Sequence, residues 1–149
     1  MTRLKTFSLE PTRRTPAIWL EPGRLVILGR SISENPSKIY RPVYEWIREY
    51  FSKNRCETSV ELGFEYINTS STKWIYHIIK KIADSTNILE NTRIMWYYEK
   101  GDEDMCELGF ILSSLVGCPF TIAEVAELKK TPGGQGPVIL RRQDFNSAG

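Results

Sequence analysis

The sequence predicts an α/β fold: a single layered domain with a mixed sheet of about five strands and about three helices, an N-terminal hairpin leading into alternating strands and helices. Three observations carry this. The apolar spacing switches between a period of two and a period of 3.6 along the chain, giving the order β-β-α-β-α-β-α-β. Strand–helix–strand alternation favours a sheet that is mostly parallel after the hairpin. Finally, 149 residues with 41% hydrophobic and 26% charged side chains are about one ordinary globular domain.

Each element has its own reason. Ala17–Leu20 and Arg24–Leu28 are short apolar runs around a Glu21-Pro22-Gly23 turn signal, which makes a β-hairpin. Residues 29–36 are a polar loop. Pro42 suits a first helical turn, and Val43, Trp46, Ile47, Tyr50 and Phe51 follow at helical spacing to about residue 53. Thr58 to Ile67 alternates, with Val60, Leu62, Phe64 and Tyr66 on one face, and so reads as a half-buried strand. Ile75, Ile78, Ile79 and Ile82 mark a helix over about 72–86, and Thr92 to Tyr98 is rich in strand formers. Asp102, Glu103 and Asp104 open a third helix with the stripe Met105, Leu108, Leu112 and Leu115. Acids in a first turn complement the helix dipole. Pro119 ends that helix, and Phe120, Ile122 and Val125 form a last strand.

The net charge of +2 hides a pattern. Residues 1–14 form a basic N-terminal segment of net +3, residues 129–149 another stretch of net +3, and residues 15–128 between them carry −4. A mildly acidic globule argues against nucleic-acid binding. The Thr131–Pro137 stretch is rich in glycine and proline, so residues 129–149 read as a disordered basic tail. No apolar run approaches the ~18 residues of a membrane span, so no membrane insertion is expected. Met1 to Arg14 lacks the apolar core of a signal peptide. Cys56, Cys106 and Cys118 are odd in number and widely spaced, which fits no disulfide framework and points to a cytoplasmic setting.

Little in the chain resembles catalytic chemistry. His77 is the single histidine, mid-helix beside the isoleucine stripe, without matched partners in local spacing. Asp102, Glu103 and Asp104 lack the spacing of a calcium loop; they read as a helix start, with a small metal-dependent enzyme as the remote alternative. No metal, cofactor or catalytic residue is expected. The informative stretch is Asn68-Thr69-Ser70-Ser71, with Thr72 and Lys73 after it. Capping-type residues crowd a strand-to-helix turn at the carboxyl edge of the sheet, where sites gather. Redundant capping explains them. So does a phosphoacceptor, because a phosphate at a helix start meets free N–H groups and the positive dipole end, with Lys73 as a further cation.

Several motifs in one order point further. They are Thr15-Pro16, Leu28 to Ile32 followed by Glu34-Asn35, and Tyr40 with Pro42 and Glu45-Trp46. Glu65 to Ser71 with Lys73, Trp96 to Glu99, and Asp102 to Met105 with Gly109 continue the series. Together they resemble the SiaC family of bacterial regulatory phosphoproteins over about residues 10–126, which makes 15–128 a SiaC-like regulatory domain. The resemblance implies a non-enzymatic switch in signal transduction by partner switching. A serine/threonine protein kinase of the anti-sigma-factor type phosphorylates a threonine in the turn, which maps to Thr69, and a PP2C-type phosphatase removes the phosphate. The unmodified form binds and stimulates a diguanylate cyclase, raising cyclic di-GMP and favouring biofilm. Asn68, Ser70, Ser71 and Lys73 would shape the turn. Arg30, Glu34, Asn35, Asp102, Glu103 and Asp104 are candidate partner contacts. An anti-sigma-factor antagonist is the alternative reading, and Ser70 and Ser71 remain alternative acceptors.

Overall fold

The computed structural model describes residues 4–53, 57–85, 91–128 and 137–143. Its elements are β1 (Phe7–Leu9), β2 (Ala17–Glu21), β3 (Arg24–Ser31), α1 (Ser37–Lys53), β4 (Thr58–Ile67) and α2 (Thr69–Ser85). β5 (Thr92–Glu99), α3 (Glu103–Val116), β6 (Thr121–Val125) and β7 (Ile139–Gln143) follow. One sheet takes the strands in chain order from β1 to β7. β3, β4, β5 and β6 are parallel, and the outer pairs are antiparallel. The predicted mixed sheet with a hairpin and three helices is present, with seven strands rather than about five.

Sequential order has a geometric consequence. Each β-α-β crossover is right-handed by default, so α1, α2 and α3 stack on one face of the sheet. The main core lies there, where Ile27, Leu62, Phe64 and Trp96 meet Ile47, Ile75, Ile79 and Leu112. α3 comes closest at Gly109, where an added Cβ would stand 2.5 Å from the Trp96 indole. That indole donates its Nε1–H to the Met105 carbonyl at 2.9 Å, so one side chain fixes both the height and the rotation of α3.

Among the described residues, no helix lies on the second face. Val26, Leu28, Tyr97, Ala123 and Val125 form a smaller cluster there with Leu128. Gly63 makes room for it, since a Cβ would sit 2.7 Å from Leu128 Cδ2. The buried Glu61 carboxylate on this face is paired by Arg24 Nε at 2.9 Å and by the Tyr97 hydroxyl at 3.1 Å. Burial, with the negative neighbour, pushes the Tyr97 phenol above its ordinary value.

β4 is buried on both faces from Val60 to Phe64 rather than half-buried, and Tyr66, expected on the Val60 face, is 60% exposed. Four further expectations need correction. α1 begins at Ser37, with Ile39 and Tyr40 N–H groups bonded to the Pro36 carbonyl. Pro42 therefore sits inside the helix on its exposed side, where the carbonyl it leaves without a helical donor faces water. α2 starts three residues earlier than expected. In α3 the stripe is rotated: Met105 and Leu112 are buried, but Leu115 is exposed and Leu108 only half-buried. Fourth, β7 lies within the expected disordered tail. Ile139 packs on the second-face cluster, Arg141 approaches Glu124 at 3.5 Å, and Gln143 donates to the Tyr98 hydroxyl at 2.8 Å. Residues 129–136 and 144–149 of that tail lie outside the described residues, as does Cys56.

Candidate functional site

Parallel order brings the ends of β3, β4 and β5 and the starts of α1, α2 and α3 to one edge. Every candidate residue from the sequence lies on it. One turn on this edge joins β4 to α2, and Asn68 organises it. Its backbone N–H donates to the Ser31 carbonyl at 3.0 Å, and its Nδ2 donates to the Ser33 carbonyl at 3.1 Å. Its Oδ1 accepts from the Ser71 N–H at 2.9 Å and from the Ser70 hydroxyl at 3.3 Å. Its carbonyl accepts from both the N–H and the hydroxyl of Thr72, each at 2.9 Å. Asn68 is thus the N-cap of α2 and also ties that cap to the neighbouring loop. Tyr40 braces the loop from below through a short hydrogen bond between its hydroxyl and Ser31 Oγ; burial raises that phenol above its ordinary value.

The four hydroxyls of the turn separate by exposure. Ser71 is 0% exposed and its Oγ has no partner among the described residues. Thr72 is spent on Asn68, and Ser70 leans on the Asn68 amide. Thr69, the first residue of α2, is exposed. It lines a groove of about 760 Å³ between α2 and α3. Thr72, Lys73, Tyr76 and His77 line the α2 side, and Asp104, Leu108, Ile111 and Leu115 the α3 side. Ile111 and Leu115 are 46% and 61% exposed, so the floor of the groove is apolar and unfilled. The groove itself was not legible in the sequence. Its one trace there is that α3 carries more large apolar residues than a single stripe can bury.

The other candidates fall on the same edge in different roles. Asp102 is the N-cap of α3, its Oδ1 accepting from the Met105 N–H at 3.2 Å. Glu103 and Asp104 are exposed in the first turn, and only Asp104 of the two reaches the groove. Arg30 pairs with Glu65 at 3.2 Å and lies over the exposed ring of Tyr66 at 5.3 Å. Asn35 accepts from the Ser37 hydroxyl at 2.8 Å at the start of α1, and Glu34 is exposed beside it. Lys73 is exposed one helical turn after Thr69 and on the same side. Among the described residues, no three His, Cys, Asp or Glu side chains converge as a metal site would require, and no helix is long and apolar enough to cross a membrane. The Cys106 and Cys118 thiols are buried, which raises both above the ordinary thiol value.

Comparison with known proteins agrees with this geometry. A family model described as the SiaC family regulatory phosphoprotein matches residues 9–125. An uncharacterized protein of Pseudomonas aeruginosa (strain UCBPP-PA14) is 27% identical over 114 residues, covering 74% of this chain and 90% of its own. SiaC of Pseudomonas aeruginosa has a similar fold, with a TM-score of 0.68 at 22% identity over 79% of this chain and 95% of its own. The crystal structure of the diguanylate cyclase SiaD in complex with its activator SiaC, from the same organism, contains a chain that matches with a TM-score of 0.70 at 25% identity. That match covers 79% of this chain and 97% of the other.

Proposed function

The chain belongs to the SiaC family of regulatory phosphoproteins, and on that premise we propose that it is a non-enzymatic phospho-switch whose acceptor is Thr69. Unmodified, it binds and activates a diguanylate cyclase in the cytoplasm, as the activator SiaC is named to do for SiaD. A serine/threonine kinase of the anti-sigma-factor type adds the phosphate, and a PP2C-type phosphatase removes it. The output is cyclic di-GMP and, through it, biofilm formation.

One observation carries this reading: Thr69 is an exposed hydroxyl on the rim of an unfilled apolar groove. A partner helix or loop that fills the groove must pass over it. A phosphate there carries about −1.5 to −2 charge. The start of α2 receives it well, because the first turn has no acidic side chain and the helix dipole favours an anion. The domain therefore stays folded. The docked partner fares worse, since the phosphate must be desolvated and Asp104 already lines the groove. A penalty of about 3 kcal/mol weakens binding roughly a hundredfold. Ser71 is too buried to meet a kinase in the folded state, which leaves Ser70 as the neighbouring alternative.

Phosphosite mapping over residues 66–73, on protein from its native cells with the phosphatase inhibited, tests the acceptor. Titration of the cyclase with unmodified and phosphorylated protein tests the switch. Phosphate on Thr69 and tight binding by the unmodified form alone are expected. Equal binding by the two forms would sink the reading. Capture of a sigma-regulating kinase with no cyclase would favour the anti-sigma-factor antagonist instead.

A further inference from the structure

Charge on the helical layer is sorted by helix. α1 carries four cations and two acids, α2 three cations and one acid, and α3 three acids and no cation. The two basic helices enclose a second groove, of about 490 Å³, on the α1 side of α2. It shares only His77 with the groove beside Thr69. At its upper end Arg41 lies over the half-buried Trp74, 5.5 Å from the ring centroid. A guanidinium held on an aromatic face gives up less freedom when its planar fork takes a carboxylate. Tyr44 and His77 line the groove one turn further along α1 and α2, and Lys81 one turn beyond His77. The acids of the groove are already engaged: Glu45 accepts from Arg48 at 2.7 Å, and Asp84 pairs with Lys80 at 3.2 Å. Among the described residues, neither Arg41 nor Lys81 pairs with an acid.

We propose that the α1/α2 groove docks a short, extended acidic segment of a partner protein, with one carboxylate on Arg41, a second on Lys81 and an aromatic side chain between them against Tyr44 and His77. Charge complementarity selects the occupant: two cations without acids, in a groove whose own acids are paired, favour an anion. The spacing narrows it. Lys81 lies seven residues beyond Trp74 on α2, ~10 Å along the helix, and acids three residues apart in an extended chain span the same distance. The rings between the two cations call for an apolar group at mid-span, which a peptide supplies and an inorganic anion does not. A long polyanion such as nucleic acid fits worse, because beyond α2 it meets the acids at the start of α3. The site goes beyond the phospho-switch reading. With the α2/α3 groove left open, one copy can hold two partners at once, on either side of the helix that begins at Thr69.

The probe is a short synthetic peptide in which two glutamates, three residues apart, flank a phenylalanine. It is titrated into the isotope-labelled full chain at low ionic strength, where surface charges are least screened, and followed by amide and indole NMR signals. Saturable shifts should appear along residues 41–48 and 74–84 and at the Trp74 indole N–H. Arg41→Glu combined with Lys81→Glu should weaken binding about tenfold or more with the spectrum still dispersed. If that variant unfolds, Lys81→Gln gives the same readout with a smaller loss. Undiminished binding by a folded variant, or equal binding of the peptide with lysines in place of glutamates, overturns the proposal. So does a titration that fails to saturate, one whose shifts centre on the α2/α3 groove, or equal binding of a single-stranded DNA oligonucleotide of the same charge. The titration involves neither a phosphate on Thr69 nor a cyclase, so its failure and the failure of the phospho-switch reading are told apart.

Discussion

At the start of α2 the cap is the neutral amide of Asn68, whereas at the start of α3 it is the carboxylate of Asp102. The two turns share an edge and a job, yet they differ in charge. α3 has two further acids in its first turn, and α2 has none. The dipole of α3 is therefore already complemented, while that of α2 is left open beside an exposed hydroxyl. The two helices are also fixed differently. α3 is held along its body by Trp96 against Gly109, and α2 is tied at its tip by the bonds of one asparagine. On the proposed reading, a turn that is pinned and free of acidic side chains receives a phosphate at lower electrostatic cost than an already acidic one.

The strongest way to sharpen this contrast is to charge the α2 turn. Thr69→Asp should weaken cyclase binding by one to two orders of magnitude, about 1.4–2.7 kcal/mol, while Thr69→Ala binds as the parent does; calorimetric titration of all three distinguishes them. Next comes the body of α3. Gly109→Ala drives a methyl group into the Trp96 indole and should cost about 2 kcal/mol, read as a lower urea midpoint. A loss under about 0.5 kcal/mol would mean that α3 is free to shift on β5. The caps come third. Asn68→Ala removes both the cap and the Ser33 tether and should cost about 1.5–2 kcal/mol, against about 1 kcal/mol for Asp102→Ala; equal losses would erase the extra tether. The smallest effect is invisible at neutral pH. Burial raises the Tyr40 phenol, so the unfolded chain loses this proton first. Its contribution is intact below pH ~10 and declines above it. Denaturant midpoints from neutral to strongly alkaline pH should fall in that window, and Tyr40→Phe should flatten part of the decline.

Much of this was legible in the sequence, and the misses share a cause. Thr58–Ile67 forms a strand over the expected residues, but its alternation misplaced the faces, because helices cover one side of β4 and the Leu128 cluster the other, while Tyr66 lies beyond both. The start of α2 was misjudged because Thr69 to Thr72 all look like caps, while Asn68 alone makes the capping bond to the helix backbone and the hydroxyl residues enter the helix. For α1, Pro42 suits a first turn, yet the helix opens at Ser37 and Pro42 falls inside it. β7 was missed because five residues form a strand only when a partner edge is present. The crowded turn at 68–73 pointed to the site, but the groove beside it arises from how α2 and α3 pack. Spacing placed Leu108 and Leu115 on one stripe with Met105 and Leu112; tertiary packing decides that the first pair lines a cleft and the second joins the core. The burial of Ser71, which narrows the choice of acceptor, is a tertiary fact of the same kind.

Leu128 rests on Gly63, far back in the chain, and this has a consequence for synthesis. The three β-α-β units are local and can assemble in turn as the polypeptide leaves the ribosome. The cover over the second face cannot. Until residues 128–143 emerge, a nascent chain holds its three helices docked with one apolar side of the sheet bare. That interval is when the growing chain most needs a chaperone.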